Sequence, residues 1–249
     1  MRLLTWNLNG LASAFLDERT EAAVFLAATG RTLRELELHR RPYAAPDVIL
    51  FQEVIDKTFL AHLRPHLERG GYSLFPPEPP GRAQFEVVAV RRPAKIADAR
   101  SIPLERSMYG RELHIVTVDG MPPGETVRVL TAHFDSGTDA RAIRLAQIQH
   151  VATMMAERSV FGGDTNLRAT EWDGVRDAIA ITDAWEAVGE PASSKTTWRM
   201  HGRTARFDRI WVGAALHPTT LATVGGSPLP GYGVTPSDHI GLIVDLEID

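Results

Sequence analysis

Five short polar clusters in this 249-residue chain carry residue types suited to handling a phosphate and a water: Asn7 with Asn9, Glu53, His133, Asp164 with Asn166, and Asp238 with His239. The densest is Gly162-Gly163-Asp164-Thr165-Asn166-Leu167-Arg168, which follows Ser159-Val160-Phe161, an apolar run that reads as the end of a buried strand. Two glycines there predict a sharp turn. The spacing of two points the side chains of Asp164 and Asn166 the same way along an extended segment. Taken alone, the heptapeptide reads as readily as an Asx-rich turn, because Gly, Asp, Thr and Asn are ordinary turn formers. The other four clusters reverse the odds. Each also stands at the end of a strand pattern, where a sheet presents groups to a shared pocket.

The residue types divide the chemistry among them. Glu53 and Asp238 offer hard oxygen ligands to Mg²⁺, an ion that takes one or two carboxylates and fills its octahedron with water and substrate phosphate. Asp164 can orient or deprotonate an attacking water. His133, His239, Asn7 and Asn166 can bind the phosphate oxygens on which charge accumulates. Asp208, in Arg206-Phe207-Asp208-Arg209-Ile210, can hold the His239 imidazole in one orientation. Every piece has a structural reading as well. Glu53 can cap a following helix, His133 can be a satisfied histidine under a loop, Asp208 can belong to a surface pair, and Asp238-His239 can be turn chemistry. His62, His66, His114 and His150 fall inside helical or strand patterns and read as structural. The weight lies in the set of five.

The elements that must position these groups follow from periodicity. Strands are expected over 2–6, 47–52, 85–90, 111–118, 126–130, 207–212 and 240–248. A helix over 18–29 has Ala22, Phe25 and Leu26 on one face, and a more polar helical stretch covers 31–41. Another carries Phe59, Leu63 and Leu67 and is stopped by Gly70-Gly71. The clearest helix opens near Thr138-Asp139 and runs to about 157, with Leu145, Ile148, Ala152 and Met155 as its buried stripe. A short helix is expected over 171–180. Loops are expected at 76–81, 121–124, 189–202 and 225–236, from their Gly and Pro content. Helices and strands alternate irregularly, with paired strands in the middle and no repeat or composition break. That pattern points to one mixed α/β layered domain over 1–249 rather than a regular doubly wound sheet.

Composition narrows the class. Apolar residues make up 44% of the chain, enough for a large core, and no apolar run approaches a membrane span. There is no cysteine, which removes disulfides, thiol nucleophiles and thiolate metal sites. The N-terminus passes straight into a strand pattern with no signal-peptide signature. A cytoplasmic monomer is the expectation, or a nuclear one in a eukaryote. The net charge of −4 argues against a broad grip on duplex phosphates. Only three of the 27 basic residues are lysine, which suits bidentate phosphate contacts, although a GC-rich bacterial genome gives the same bias and is the better explanation.

Thr5-Trp6-Asn7, Phe51-Gln52-Glu53-Val54-Ile55, Gly163-Asp164-Thr165-Asn166-Leu167-Arg168, Arg206-Phe207-Asp208-Arg209-Ile210 and Pro236-Ser237-Asp238-His239-Ile240-Gly241-Leu242 together resemble the endonuclease/exonuclease/phosphatase superfamily. Within it they are most similar to the 5'-tyrosyl-DNA phosphodiesterase branch, with Thr165-Asn166-Leu167-Arg168 the most branch-specific part. The resemblance covers the chain from Thr5 to the last strand. It implies a four-layer α/β/β/α sandwich, two packed mixed β-sheets flanked by helices. It also implies a Mg²⁺-dependent phosphodiesterase, with Mn²⁺ as the alternative ion, that releases tyrosine from single-stranded DNA 5' ends. Other metal-dependent members (abasic-site endonuclease, DNase, lipid or nucleotide phosphatase) are the competing expectation.

Carried over by position, Glu53 and Asp238 would hold the metal and Asp164 would address the water. Asn7, His133, Asn166 and His239 would hold the phosphate. Ser136 falls where the family has a serine near that histidine, Arg111 on a strand that carries a family arginine, and Trp198 at a tryptophan that walls the nucleic-acid strand. Three positions depart from the branch. Asn9 stands where an aspartate is usual, and Asp135 where a glutamate is. Gln84, followed by Phe85, stands at the aromatic partner that clasps the substrate tyrosine with the Arg168-type guanidinium.

Overall fold

The computed structural model describes residues 1–29, 45–121 and 123–249. The helical stretch expected over 31–41 therefore lies outside the described residues, as does Pro122 of the expected turn at 121–124. Among the described residues, fourteen strands form two six-stranded sheets and one hairpin. The first sheet holds β1 (Arg2–Asn7), β2 (Val48–Val54), β3 (Tyr72–Phe75), β4 (Phe85–Arg91), β13 (Leu216–Val224) and β14 (Gly241–Ile248), in the order β13-β14-β1-β2-β4-β3. The second holds β5 (Lys95–Pro103), β6 (Glu112–Asp119), β7 (Thr126–Ala132), β8 (Ser159–Asp164), β9 (Thr182–Asp183) and β12 (Asp208–Val212), in the order β5-β6-β7-β8-β12-β9. Both sheets are mixed, since β1–β2 and β7–β8 are parallel and the remaining pairs antiparallel. The hairpin pairs β10 (Trp198–Met200) with β11 (Arg203–Ala205).

Strand alternation sorts the apolar residues into three layers of core. Leu3, Val48, Leu50 and Val88 of the first sheet meet Val116, Val129, Val160 and Ile210 of the second between the sheets. The outer face of the first sheet (Leu4, Trp6, Ile49, Phe51, Val87) is covered by helix Leu16–Thr29 and by the stretch through Phe59, Leu63 and Leu67. The outer face of the second (Ile115, Leu130, Phe161, Trp211) is covered by helix Arg141–Met154 and by Trp172 of helix Ala169–Asp173. The molecule is the four-layer α/β/β/α sandwich. Between the sheets, the core changes from apolar to polar toward one end. Gln52 Nε2 donates to Thr5 Oγ1 at 3.1 Å and to Thr131 Oγ1 at 3.0 Å, joining the sheets through a fully buried amide.

Several expectations change. The helix over 18–29 starts at Leu16 and buries Ala23, Val24, Leu26 and Ala27, while Phe25 is 45% exposed and Ala22 only partly covered. Its apolar residues surround most of the helix, so spacing alone did not fix the buried face. The stripe of helix Arg141–Met154 is Arg144, Gln147, Ile148 and Val151, with Leu145, Ala152 and Met155 at its margin. Two of its buried positions are polar and make hydrogen bonds, which a count of apolar residues overlooks. The 171–180 stretch is a helix only over Ala169–Asp173, with a 3₁₀ turn at Arg176–Ala178. The region 189–202 contains β10 rather than loop alone. Strands β5 and β13 are sheet edges with mostly exposed or half-buried side chains, and so lack the alternation that would have revealed them.

Gly162 and Gly163 do not turn. Both lie in β8, and their role is steric. A Cβ on Gly163 would sit 2.2 Å from the Ala132 carbonyl oxygen, and one on Gly162 would sit 2.8 Å from Leu50 Cδ1 and 3.1 Å from Thr5 Cβ. The pair lets β8 approach both β7 and the opposing sheet just before Asp164. Gly163→Ala is therefore expected to destabilise the protein by about 3 kcal/mol or more, since the clash is with backbone rather than with a movable side chain. Urea unfolding measures this, and an unchanged midpoint would refute the steric role.

Candidate active site

The polar clusters meet at the end of the sandwich where β1, β2, β7, β8 and β12 run out. Register accomplishes this. Asn7 pairs with Gln52, next to Glu53, on the first sheet. On the second, His133 bridges to Asp164, and Asp164 pairs with Asp208. The segment that delivers His239 is bridged to Trp198.

One side chain ties the two sheets together at this end. Asn7 Nδ2 donates to Glu53 Oε1 at 3.0 Å and to Asp164 Oδ2 at 2.9 Å. Two carboxylates thus share one donor at the mouth of the core. His133 stands between them, with Nδ1 at 3.7 Å from Glu53 Oε1 and Nε2 at 3.2 Å from Asp164 Oδ2. Asn166 Nδ2 reaches His133 Nε2 and Phe134 O, each at 3.1 Å. Its own N–H donates to Asp164 Oδ1 at 3.0 Å. This is an Asx-type turn with Asn166 at φ 50°, so the Asp164–Asn166 segment is not extended. Both side chains nonetheless face His133. Asn9 (φ 50°) donates its N–H to Asn7 Oδ1 at 2.9 Å, and Glu53 itself holds φ 53°. For a glutamate that left-handed backbone costs of order 1–3 kcal/mol and persists only where its surroundings impose it. Gly10 helps to impose it: its N–H donates to Glu53 O, and a Cβ there would fall 2.2 Å from that oxygen.

On the other flank, His239 Nδ1 lies 2.8 Å from Asp208 Oδ2, with Nε2 3.6 Å from Asp164 Oδ2. Burial disfavours the charged imidazole, but Asp208 and Asp164 outweigh it and His239 is pushed up to about 10. Burial pushes Asp208 up, and its second oxygen has no hydrogen-bond partner among the described residues. Burial also opposes ionisation of Asp164. There the charges of His133 and His239, with hydrogen bonds from His133 and the Asn166 N–H, win and hold the carboxyl well below the usual carboxylate range.

The donor set suits a hard divalent cation. The ligand atoms of Glu53, His133 and Asp164 lie within 4.8 Å of one another, as do those of Asp164, Asp208 and His239. Glu53 is the carboxylate of the first group with access to solvent, at 18% side-chain exposure against 2% for Asp164. Asp238 belongs to neither group. It is half-buried at the same mouth, and its Oδ2 accepts from Trp198 Nε1 at 3.0 Å. Carboxylate oxygens with one carboxylate open to water suit a hard, oxygen-ligated divalent cation.

The remaining expected residues line the rim. The Arg168 guanidinium lies over the Phe207 ring at 4.9 Å and donates to Asn166 O. Phe207 packs against Trp198 at 5.2 Å between centroids. From this corner a groove of about 950 Å³ runs past Lys195, Arg203 and Arg206 toward Trp185. Arg111 donates to the backbone carbonyls of Phe134 and, at 3.4 Å, His133. Ser136 is half-buried on the loop after Asp135.

Supporting residues escaped the sequence reading. Arg19, on the first turn of its helix, is buried and donates to Ala12 O at 2.5 Å and Pro236 O at 3.1 Å. It thereby joins the loop after Asn9 to the segment leading into Asp238. Arg144, fully buried, takes both oxygens of Glu171 at 2.6 and 2.9 Å and donates to the carbonyls of Asp135 and Gly137. It fixes the His133–Gly137 loop to the helix after Arg168. Nothing in local spacing marks either arginine. Arg144→Met should cost about 3–5 kcal/mol by stranding the buried Glu171 charge. Adding Glu171→Met should recover part of that loss. Chemical denaturation of the two single variants and the double variant tests the coupling, and strictly additive losses would contradict it.

A family model described as "Endonuclease/Exonuclease/phosphatase family" matches residues 4–239. Tyrosyl-DNA phosphodiesterase 2 of Gallus gallus is 29% identical over 267 residues, covering 99% of this chain and 66% of its own length. The chain thus spans slightly less than two thirds of that relative. Among solved structures, humanized D. rerio TDP2 aligns with a TM-score of 0.80 and 24% identity, covering 99% of this chain and 98% of that one. D. rerio TDP2 complexed with a single-strand DNA product aligns with a TM-score of 0.78 and 23% identity, at 99% and 98% coverage. At these identities the structural matches speak to fold.

Proposed function

We propose, from the premise that this chain belongs to the endonuclease/exonuclease/phosphatase family, that it is a Mg²⁺-dependent phosphodiesterase hydrolysing the 5'-phosphotyrosyl bond of adducted, single-stranded DNA ends. It acts through one catalytic domain, with Glu53 and Asp238 holding the metal. The observation that carries this reading is the single Asn7 amide shared by Glu53 and Asp164, with His133 and His239 flanking. The activity named for the Gallus gallus relative supports the choice of substrate.

The residues divide the work as follows. Asp164 is anionic at neutral pH, with both oxygens engaged by fixed donors. A carboxyl held so low is a weak base, so its main contribution is to orient the water for in-line attack. His239, kept protonated by Asp208, donates from Nε2 to a phosphate oxygen. Asn7, His133 and Asn166 stand where charge builds and bind the phosphate oxygens by exchanging onto them N–H groups that here serve Glu53, Asp164, His133 and Phe134 O. A bound Mg²⁺ supplies Lewis acidity toward the phosphate oxygens. Arg168 and Trp198 form the rim against which the adducted strand lies, with a base face on Trp198.

A 5'-phosphotyrosyl oligonucleotide, an abasic duplex and an inositol phosphate, each assayed with Mg²⁺ and with EDTA, separate this reading from its competitors. Cleavage of the tyrosyl substrate alone, abolished by EDTA, is expected. Turnover confined to the abasic or inositol substrate would overturn the assignment. Asp164→Asn should lower kcat by about 10²–10⁴-fold. His239→Ala should lower kcat and kcat/KM together, the mark of a contact made in the transition state. Glu53→Ala should raise the Mg²⁺ concentration needed for half-maximal activity, and an unmoved metal titration would exclude Glu53 as a ligand.

A further inference from the structure

Between the sheets, one strand beyond Thr131 and Gln52, lies a second polar cluster that the phosphodiesterase chemistry does not use. His114 on β6 pairs with Thr131 of β7 on one side and with Ser101 of β5 on the other. Its imidazole is buried, and Glu86 of β4 meets it from the opposing sheet, with side chains 3% and 9% exposed. His114 Nδ1 lies 3.1 Å from Ser101 Oγ, and the Phe75 ring packs edge-on against the imidazole with centroids 5.3 Å apart. Nε2 has no hydrogen-bond partner among the described residues, and Glu86 Oε2 stands 3.5 Å from it. Gln84, half-buried and two residues before Glu86, also has a buried Oε1 without a partner among the described residues. Polar atoms left unpaired in a folded interior call for a bound water or ion.

We infer that His114 Nε2 and Glu86 Oε2, with Gln84 Oε1, form a structural Zn²⁺ site that joins β4 of the first sheet to β6 of the second. The separation decides between a hydrogen bond and a shared cation. A charge-assisted N–H···O contact closes to ~2.7–2.9 Å. The 3.5 Å between Nε2 and Oε2 is too long for one. Two ligand atoms on a tetrahedral Zn²⁺, each ~2.0–2.2 Å from the ion, stand roughly 3.3–3.6 Å apart. The observed spacing is that of a coordination edge. Ser101 supplies the outer contact that orients a ligating histidine. With the ring hydrogen on Nδ1 and donated to Ser101 Oγ, Nε2 is left with a lone pair. A lone pair beside a carboxylate is repelled by it, and a cation between them reverses the sign. Imidazole among the ligands selects Zn²⁺ over the Mg²⁺ that all-oxygen sets favour. Neither His114 nor Glu86 belongs to the ligand groups of the cleft, Glu53–His133–Asp164 and Asp164–Asp208–His239. The half-buried Gln84 leaves an approach from solvent, and a water completes the tetrahedron.

Zn²⁺ binding to the metal-stripped full chain, measured by equilibrium dialysis with metal analysis, tests this. Wild type should retain one more equivalent than His114→Leu, and Glu53→Ala should leave that equivalent in place. Glu86→Gln keeps the shape of its side chain and should weaken the same site, which guards against His114→Leu merely disturbing the core. Ser101→Ala, at an exposed strand position, should weaken it by roughly ten- to hundredfold. Co²⁺ in place of Zn²⁺ should give the intense visible bands of a four-coordinate ion in wild type and lose them in His114→Leu. Equal zinc stoichiometry in wild type, His114→Leu and Glu86→Gln, the result expected if a water bridges these atoms, would overturn the inference. So would loss of the extra equivalent in Glu53→Ala with His114→Leu unaffected. Mg²⁺-dependent turnover should persist in His114→Leu, and the zinc count stands or falls independently of the phosphodiesterase reading.

Discussion

The arrangement depends on bringing two carboxylates from different sheets to one point at the edge of an apolar core. Glu53 and Asp164 repel each other, and burial strengthens that repulsion because the surrounding dielectric is low. They stay together because Asn7, His133 and the Asn166 N–H crowd them with donors. What those donors leave unbalanced is negative charge on the more open carboxylate. A hard cation is the species that would balance it. Metal affinity and anion geometry therefore have a common origin in the packing of the two sheets.

Holding such a site rigid falls to polar groups beside and behind the cleft. Asp208 keeps the His239 imidazole charged and fixed in direction. Arg144 joins the loop after His133 to the helix after Arg168, and Arg19 joins the loops on the first-sheet side. Each is a buried guanidinium or carboxylate that would be costly if unpaired, and each is paired. The left-handed backbone of Glu53 belongs with them. A strained residue survives there because Gly10 and the end of β2 leave its carbonyl no other arrangement.

Strands were legible where they form continuous apolar runs, as in β1, β2, β7 and β8, while the two packed sheets followed from the family resemblance rather than from periodicity. At the edges the strands were illegible. Strands β5 and β13 face water on most residues, so their sequences resemble loops. The polar clusters were legible because strand ends concentrate them, whereas their supports were not. Arg144 and Gln147 occupy helix positions that an apolar stripe assigns to Leu145 and Ala152, and only the three-dimensional path of the His133 loop gives them partners. Gly162-Gly163 was visible as a signal but misread in mechanism, since a glycine needed for close approach looks the same in sequence as one needed for a turn. Asp238 illustrates a further limit. Its place at the mouth follows from its neighbours, but its carboxylate spends an oxygen on the Trp198 indole, a contact no spacing rule anticipates.

Chemistry and substrate choice occupy different parts of this protein, and they obey different constraints. The clustered polar groups sit at or just past strand ends, and most of them are buried between or beside the sheets. The groups around the cleft mouth, Trp198, Phe207 and Arg168 on one side and Arg111 on the other, sit on loops and a short hairpin. Substrate preference in such a fold is better read from which aromatic faces remain open around the cleft than from any single aligned position.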